Sequence, residues 1–229
     1  MDIAIIGGTG AEGFGLALRL ASAGEHVVIG SRDAERGAAA AERAIEVLPA
    51  GATVEGTANE EATSAADVVL VTVPFAAQAE ICRSIKGSLR PGAVVIDATS
   101  PLATAVGGRA WQVIRPWHGS AGEQAAAILP EVNVVAAFHT IAAGALVELD
   151  RPVDSDVLVC GDDAEAKAIA GNVIARVPGL RWVDVGTLSM ARIAETLTAL
   201  LVSVNRTYRV RDAGFRVTGR EEWGSPPSR

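Results

Sequence analysis

The sequence predicts an α/β protein, a doubly wound parallel sheet with a small C-terminal α/β extension. Three observations predict it. Short apolar runs such as Val68-Val-Leu-Val-Thr-Val73 recur along the chain, stopped by glycine or proline. Runs of that length, apolar throughout, suit strands buried on both faces. Alanine-rich stretches with Glu and Arg separate them. The resulting strand-then-helix repeat implies parallel strands joined by right-handed crossovers.

Taken in order, Asp2-Ile-Ala-Ile-Ile6 is the first strand, halted at Gly7-Gly8-Thr9-Gly10. Phe14, Leu16, Leu18 and Leu20 lie in an Ala-rich helix that Gly24 ends. Val27-Val28-Ile29 is the second strand, closed by Gly30-Ser31-Arg32, and a helix is expected over 34–48. Residues 53–55 form a weak third strand and 60–66 a short helix. The strong fourth strand ends at Pro74, and a helix follows over 76–86. Strands are expected at 93–97 and 133–137, with His139 just past the second. Between them, the Gly- and Pro-containing first half of 100–129 is expected to be an irregular, mobile loop. Beyond His139 the expectation is a strand at 156–160, a helix over 164–176, a strand at 181–185 and a long helix over 189–206. This block either extends the sheet or forms a small second lobe. The division adopted is 1–142 and 143–229, with a polar tail beyond Tyr208 expected to fray.

Composition narrows the partners. The net charge of −7 argues against a nucleic-acid surface, which needs clustered positive charge. No apolar run approaches the ~20 residues that cross a bilayer. The first strand begins at Asp2 with no signal peptide before it, and Cys82 and Cys160 form no CxxC pair, so a cytoplasmic protein with buried free thiols and no metal is expected.

The glycine loop carries the chemistry. Gly8-Thr9-Gly10-Ala11-Glu12-Gly13 follows a buried strand and opens a helix, the setting in which GxGxxG binds a dinucleotide. The first glycine makes the tight turn, the second admits the pyrophosphate, and the third lets helix and strand pack closely. Backbone N–H groups and the helix dipole favour the phosphates. This is a Rossmann-type arrangement. At the end of the second strand, NAD-preferring folds commonly place an acid for the ribose 2′-hydroxyl. Here Ser31 and Arg32 stand there, with Arg36 one helical turn on. A hydroxyl and guanidinium groups suit a 2′-phosphate, so NADP(H) is the expected cofactor. Asp33 sits where a helix N-cap belongs.

Gly7-Gly-Thr-Gly10, Gly15-Leu-Ala-Leu-Arg-Leu20, Gly30-Ser-Arg32, Phe138-His-Thr-Ile141, Val159-Cys-Gly-Asp-Asp163 and Gly186-x-Leu-Ser189 together resemble the NADPH-dependent F420 reductases. The likeness runs to about residue 206. It implies hydride exchange between NADP(H) and the 5-deazaflavin coenzyme F420, two small-molecule coenzymes stacked in one cleft. On the matching positions, it implies that Thr9, Ser31, Arg32 and Arg36 hold the adenosine end of NADP. Val73 and Pro74 border the nicotinamide half, and His139 and Ile141 line the deazaflavin pocket. Ala142-Ala143 stands where the family usually has a proline, and Trp111–Ser120 differs from the family's loop.

Hydride transfer between bound cofactors needs little side-chain chemistry. His139, at a strand's C-terminal end, is the one candidate for a catalytic role, as a hydrogen-bonding group or proton donor. His118 reads as a surface-loop residue, and Asp162-Asp163 as a helix cap rather than a metal pair. Ser189 and Arg192 suit either a coenzyme tail or a cap and ion pair. Leu197, Leu200, Leu201 and Val204 form an apolar stripe that packs on the sheet or in a homodimer. Two other readings stay open: an NADPH-dependent reductase of an imine or keto acid, and a non-catalytic NADP(H)-binding redox sensor. Lys86 and Lys167, the only lysines, both fall on helices, which disfavours a lysine proton donor.

Overall fold

The structure is a computed structural model describing residues 1–220, 223 and 224. Eight strands form one sheet: β1 (Asp2–Ile6), β2 (His26–Ser31), β3 (Thr53–Ala58), β4 (Val68–Val71), β5 (Val94–Asp97), β6 (Asn133–Ala136), β7 (Ser155–Gly161) and β8 (Leu180–Gly186). Their order is β3-β2-β1-β4-β5-β6-β7-β8. The first six are mutually parallel. Ile3, Ile5, Val27, Leu70 and Ile96 fill one face of the sheet, and Ala4, Ile6, Val28, Val69 and Val95 the other. The helices are α1 (Ala11–Ser22), α2 (Ala34–Ile45), α3 (Asn59–Ala65), α4 (Phe75–Ile85), α5 (Ala121–Ile128), α6 (Ala143–Val147), α7 (Ala164–Ala175), α8 (Ala191–Ala194) and α9 (Leu197–Tyr208).

The C-terminal block extends the sheet, and its direction departs from the parallel expectation. β7 runs antiparallel to β6, through Val135 opposite Gly161 and Ala136 opposite Cys160. Only the last two residues of β7 meet β6. In an antiparallel pair its first five therefore project past the C-terminal ends of the parallel strands. β8 pairs parallel with β7 along its length. The two strands form a wall above that edge of the sheet, where open α/β sheets bind ligands.

Three further elements differ from expectation. The long helix over 189–206 is a 3-10 turn, α8 and α9, interrupted at Glu195-Thr196. Glu195 turns inward to accept from the N–H groups of Ala121 and Gly122 (2.8 and 2.9 Å), and the Thr196 hydroxyl donates to the Ile193 carbonyl. The apolar stripe on α9 stays partly exposed, Leu200 by 55%. The loop after β5 contains a 3-10 turn (Ala103–Val106) and a bridge between Leu102 and Val113, with Trp117 and His118 exposed.

The tail is fastened where fraying was expected. Phe215 O accepts from Asp156 N at 2.7 Å, and Val217 N donates to Asp156 Oδ2 at 2.7 Å. Arg216 and Arg181 both pair with the buried Asp156 carboxylate at 2.8 Å. Residues 221–222 and 225–229 of that expectation lie outside the described residues. Cys82 and Cys160 are buried and unpaired.

Candidate NADP site

The glycine loop leaves β1 at Gly7, whose φ of +82° is a left-handed conformation that glycine adopts without a Cβ clash. Gly10 N donates to Gly7 O at 2.9 Å, closing the turn. A Cβ on Gly13 would stand 2.8 Å from the Gly8 Cα and 3.0 Å from the Gly7 carbonyl, and would meet the Thr72 hydroxyl. Helix α1 thus starts directly against the loop, with its N-terminal N–H groups near any bound phosphate.

One cleft brings together Gly7, Thr9, Gly10, Ser31, Arg32, Arg36, Val73 and Pro74. They lie at the C-terminal ends of the adjacent strands β2, β1 and β4. Arg32 and Arg36 are exposed and pair with no carboxylate among the described residues. Asp33 also lines the cleft, with its Oδ1 capping α2 by accepting from Glu35 N (2.9 Å) and Arg36 N (3.4 Å). It forms no ion pair with Arg32 or Arg36, the cationic rim of the cleft, among the described residues. The bare glycine loop and this rim fit a dinucleotide carrying a 2′-phosphate.

Ala11, Glu12, Gly13, His139 and Ile141 do not line that cleft. Gly13 lies beneath the loop as packing. Phe138 is buried with φ +70°, an uncommon conformation for a non-glycine residue, and it turns the chain after β6. His139, 7% exposed, and Ile141, 8% exposed, follow it. Thr198 on α9 donates to the His139 carbonyl (2.7 Å) and also bonds Ser100 Oγ (2.7 Å), so α9 covers this segment. Burial pushes the His139 imidazole down to about 4, leaving it neutral at physiological pH. That disfavours an imidazolium proton donor and leaves His139 as a hydrogen-bonding group. Its Nε2 is enclosed without a partner.

Other candidates find structural partners. Asp163 caps α7 by accepting from Ala166 N (2.7 Å), whereas Asp162 accepts from Leu188 N (2.9 Å). Arg192 grips Glu123 through two nitrogens (2.8 and 2.6 Å), and Ser189 bonds Thr187. Lys167 pairs with Asp184 at 2.8 Å. No metal-binding group of residues occurs among the described residues.

Three carboxyls escaped the sequence reading as a set: Asp97 and Glu195 are fully buried, and Glu12 is half-buried with one oxygen shut away from solvent. Asp97 ends β5 wholly buried, accepting from Thr99 N (2.7 Å) and from the Gln78 side chain. Burial raises it to about 6. Burial likewise raises Glu12 and Glu195 to about 8. A carboxyl whose folded value is raised contributes stability that is complete below its ordinary value and lost as pH rises through the folded value. For Glu195 that window runs from 4.5 to about 8. The melting temperature of the coenzyme-free protein should therefore fall between pH 5.5 and 8.5. Glu195→Gln should flatten the fall, and thermal unfolding across that range checks it. His139 acts oppositely, losing stability only as pH drops from 6.5 towards 4.

Comparison with known proteins agrees with this geometry. Residues 2–101 match the family described as NADP oxidoreductase, coenzyme F420-dependent. An F420-dependent NADP reductase of Methanothermobacter thermautotrophicus is 46% identical over 97% of this chain and 97% of its own. One from Methanocaldococcus jannaschii is 39% identical over 96% of this chain and all of its own. A crystal structure from Arthrobacter sp. FB24, provisionally named an F420-dependent NADP reductase, superposes with a TM-score of 0.81 at 26% identity, covering 96% of this chain and 100% of that one. The cleft and these full-length likenesses agree, and the chain belongs to the F420-dependent NADP reductase family.

Proposed function

We propose that this protein passes a hydride between NADP(H) and coenzyme F420. The observation that carries the NADP half is the cleft itself, with a glycine loop opposite Ser31 and the Arg32 and Arg36 guanidinium groups, which pair with no carboxylate among the described residues. The F420 half comes from the names of its family relatives. NADPH, when bound, supplies the hydride, and the chain binds, orients and excludes water. Thr9, Gly10 and the start of α1 hold the pyrophosphate, with Ala11, Glu12 and Gly13 forming the helix start. Ser31, Arg32 and Arg36 hold the 2′-phosphate, while Val73 and Pro74 border the nicotinamide half. His139 and Ile141, beside the β7–β8 wall, serve the deazaflavin side, His139 through Nε2. In this reading residues 1–142 form the NADP half and 143–229 the smaller lobe completing the second site. The exposed stripe on α9 supports pairing of two copies, and the charge and chemistry suit a cytoplasmic enzyme.

Mixing the protein with NADPH and oxidised F420 and following the deazaflavin absorbance tests the activity. Bleaching is expected, and its absence in protein that binds NADPH tightly rejects the F420 assignment. Arg32→Ala should weaken NADPH by about 10- to 100-fold, the worth of a charge-assisted bond of roughly 1.5–3 kcal/mol, and leave NADH nearly unchanged. Titrations with both coenzymes measure this, and equal losses would remove Arg32 from the 2′-phosphate site.

A further inference from the structure

Several enclosed carboxylates in this fold are matched by cations, and Glu195 is held by the Ala121 and Gly122 N–H groups. Glu25 takes the Met1 ammonium at 3.0 Å and Arg176 at 2.7 Å. Asp156 lies between Arg181 and Arg216, and Asp184 holds Lys167. Glu12 and Asp97 have no cation partner among the described residues, and unlike Glu195 neither accepts from a pair of helix N–H groups. Glu12 Oε1 is shut away from solvent without any hydrogen-bond partner. Asp97 is wholly buried and receives only the neutral donors Thr99 and Gln78. The His139 ring donates to the Asp97 backbone carbonyl, and its enclosed Nε2 is a second unpartnered atom in the same region.

Their place in the sheet says what lies between them. Strand ends follow the order β2, β1, β4, β5, β6. On the function proposed above, on which this inference rests, the 2′-phosphate sits over β2, the pyrophosphate over β1 and the nicotinamide half beside Val73 and Pro74 after β4. Glu12 stands at the start of α1, above β1, and Asp97 ends β5. Neither carboxyl lines the cleft itself, and their charges interact across the position of β4, behind the lining residues Val73 and Pro74. A nicotinamide ring is neutral when reduced and carries one positive charge when oxidised. The cation missing from the pair is one the coenzyme itself brings.

We propose that Glu12 and Asp97 are the counter-charge for the oxidised nicotinamide ring: they hold one proton between them while the ring is neutral and release it when the ring becomes cationic. The charges balance. Before transfer the pair carries one negative charge beside a neutral ring. Afterwards two carboxylates face one cation, and the enclosed region keeps the same total. The hydride carries both electrons to the acceptor, which then takes up one proton, and that is the proton the pair gives up. In the reverse direction the pair takes it back.

The surroundings agree. Burial lifts Glu12 to about 8, with the charge of Asp97 adding to it, and lifts Asp97 to about 6, so one proton resides on the pair near neutral pH. Facing groups from the other elements reinforce this. Gln78 on α4 and Thr99 after β5 are neutral donors. His139 after β6 is uncharged, and Glu195 after α8 interacts unfavourably with Asp97. Glu123 on α5 acts on Glu195 in the same sense. A cation brought into this group draws protons off it.

Calorimetric titration of the full chain with NADP+ and with NADPH, at neutral pH in buffers of differing ionisation enthalpy, counts the protons released on binding. The 2′-phosphate contributes equally to both coenzymes, so their difference isolates the ring. NADP+ should release close to one proton more than NADPH, and Glu12→Gln should abolish the difference. Asp97→Asn, which removes the neighbouring charge, should move the release to lower pH. Equal proton counts in the unaltered protein, a difference that survives Glu12→Gln, or a midpoint unmoved by Asp97→Asn each overturn the proposal. Binding of neither coenzyme overturns the NADP reading itself and the pair's role with it, a result distinct from binding with equal proton counts.

Discussion

Gly13→Val should abolish NADPH binding and destabilise the fold by about 3 kcal/mol, the upper part of the range for overpacking a tight site. The reason lies beneath the loop. The new Cβ would meet backbone at Gly8 and Gly7, as well as the Thr72 hydroxyl that donates to Ile6 O at 3.0 Å. Rotating a side chain does not clear such a clash, so either the loop lifts or α1 backs away. Both movements take the helix N-terminus off the pyrophosphate. Thermal unfolding with and without NADPH reads both effects at once. Saturating ligand at 100 times its dissociation constant adds about 2.7 kcal/mol to a binding-competent protein and nothing to one that has lost the site. A Gly13→Val protein that melts normally and still gains stability from NADPH would refute the close-packing account.

The second large effect belongs to Arg19, on the far side of α1. This guanidinium is only 2% exposed and meets no carboxylate in ion-pair contact among the described residues. It donates instead to three carbonyls at the end of α6: Leu146 (2.8 Å), Ala145 (2.8 Å) and Glu148 (2.5 Å). The last carbonyls of a helix lack partners within it, and the negative end of the dipole favours a cation. Arg19→Met keeps the apolar stem and strands these acceptors, which should lower stability by about 3–5 kcal/mol. Arg19→Lys should recover only part of the loss, because an ammonium cannot reproduce the planar fork. Chemical denaturation of the three proteins measures the series. Since α6 directly follows the segment bearing His139 and Ile141, Arg19→Met should also disturb the deazaflavin side before the adenosine side.

The cleft that joins the glycine loop to Ser31 and Arg32 was legible in the sequence because its pattern is local. A glycine loop must follow a strand and open a helix, and Ser31-Arg32 must end the next strand. Both conditions can be read within the first 32 residues, and Asp33 capped α2 as its position suggested. The reversal at β7 was not legible, because strand direction depends on the partner chosen and the residues of β7 look the same either way. The break at Glu195-Thr196 was hidden by an apolar stripe that continues the helical period, while the decisive contact is made 74 residues away at Ala121. In the sequence Glu12 counts as one of the cofactor-binding positions of the glycine loop. An acid in a helix's first turn ordinarily faces solvent and favours the dipole. Only the assembled sheet shows that its carboxyl is enclosed opposite Asp97.

The wall formed by β7 and β8 has a consequence for how such an enzyme is remodelled. Two residue pairs stitch it to the parallel strands, whereas the dinucleotide half is sewn together by pairings along β1, β2, β3 and β4. Lengthening, shortening or tilting β7 resets the clearance above the sheet without breaking a strand pairing in the half that carries Ser31, Arg32 and Arg36. On the proposed function, coenzyme choice and the size of the acceptor are inherited through separate stretches of chain, and each is open to exchange while the other stays fixed.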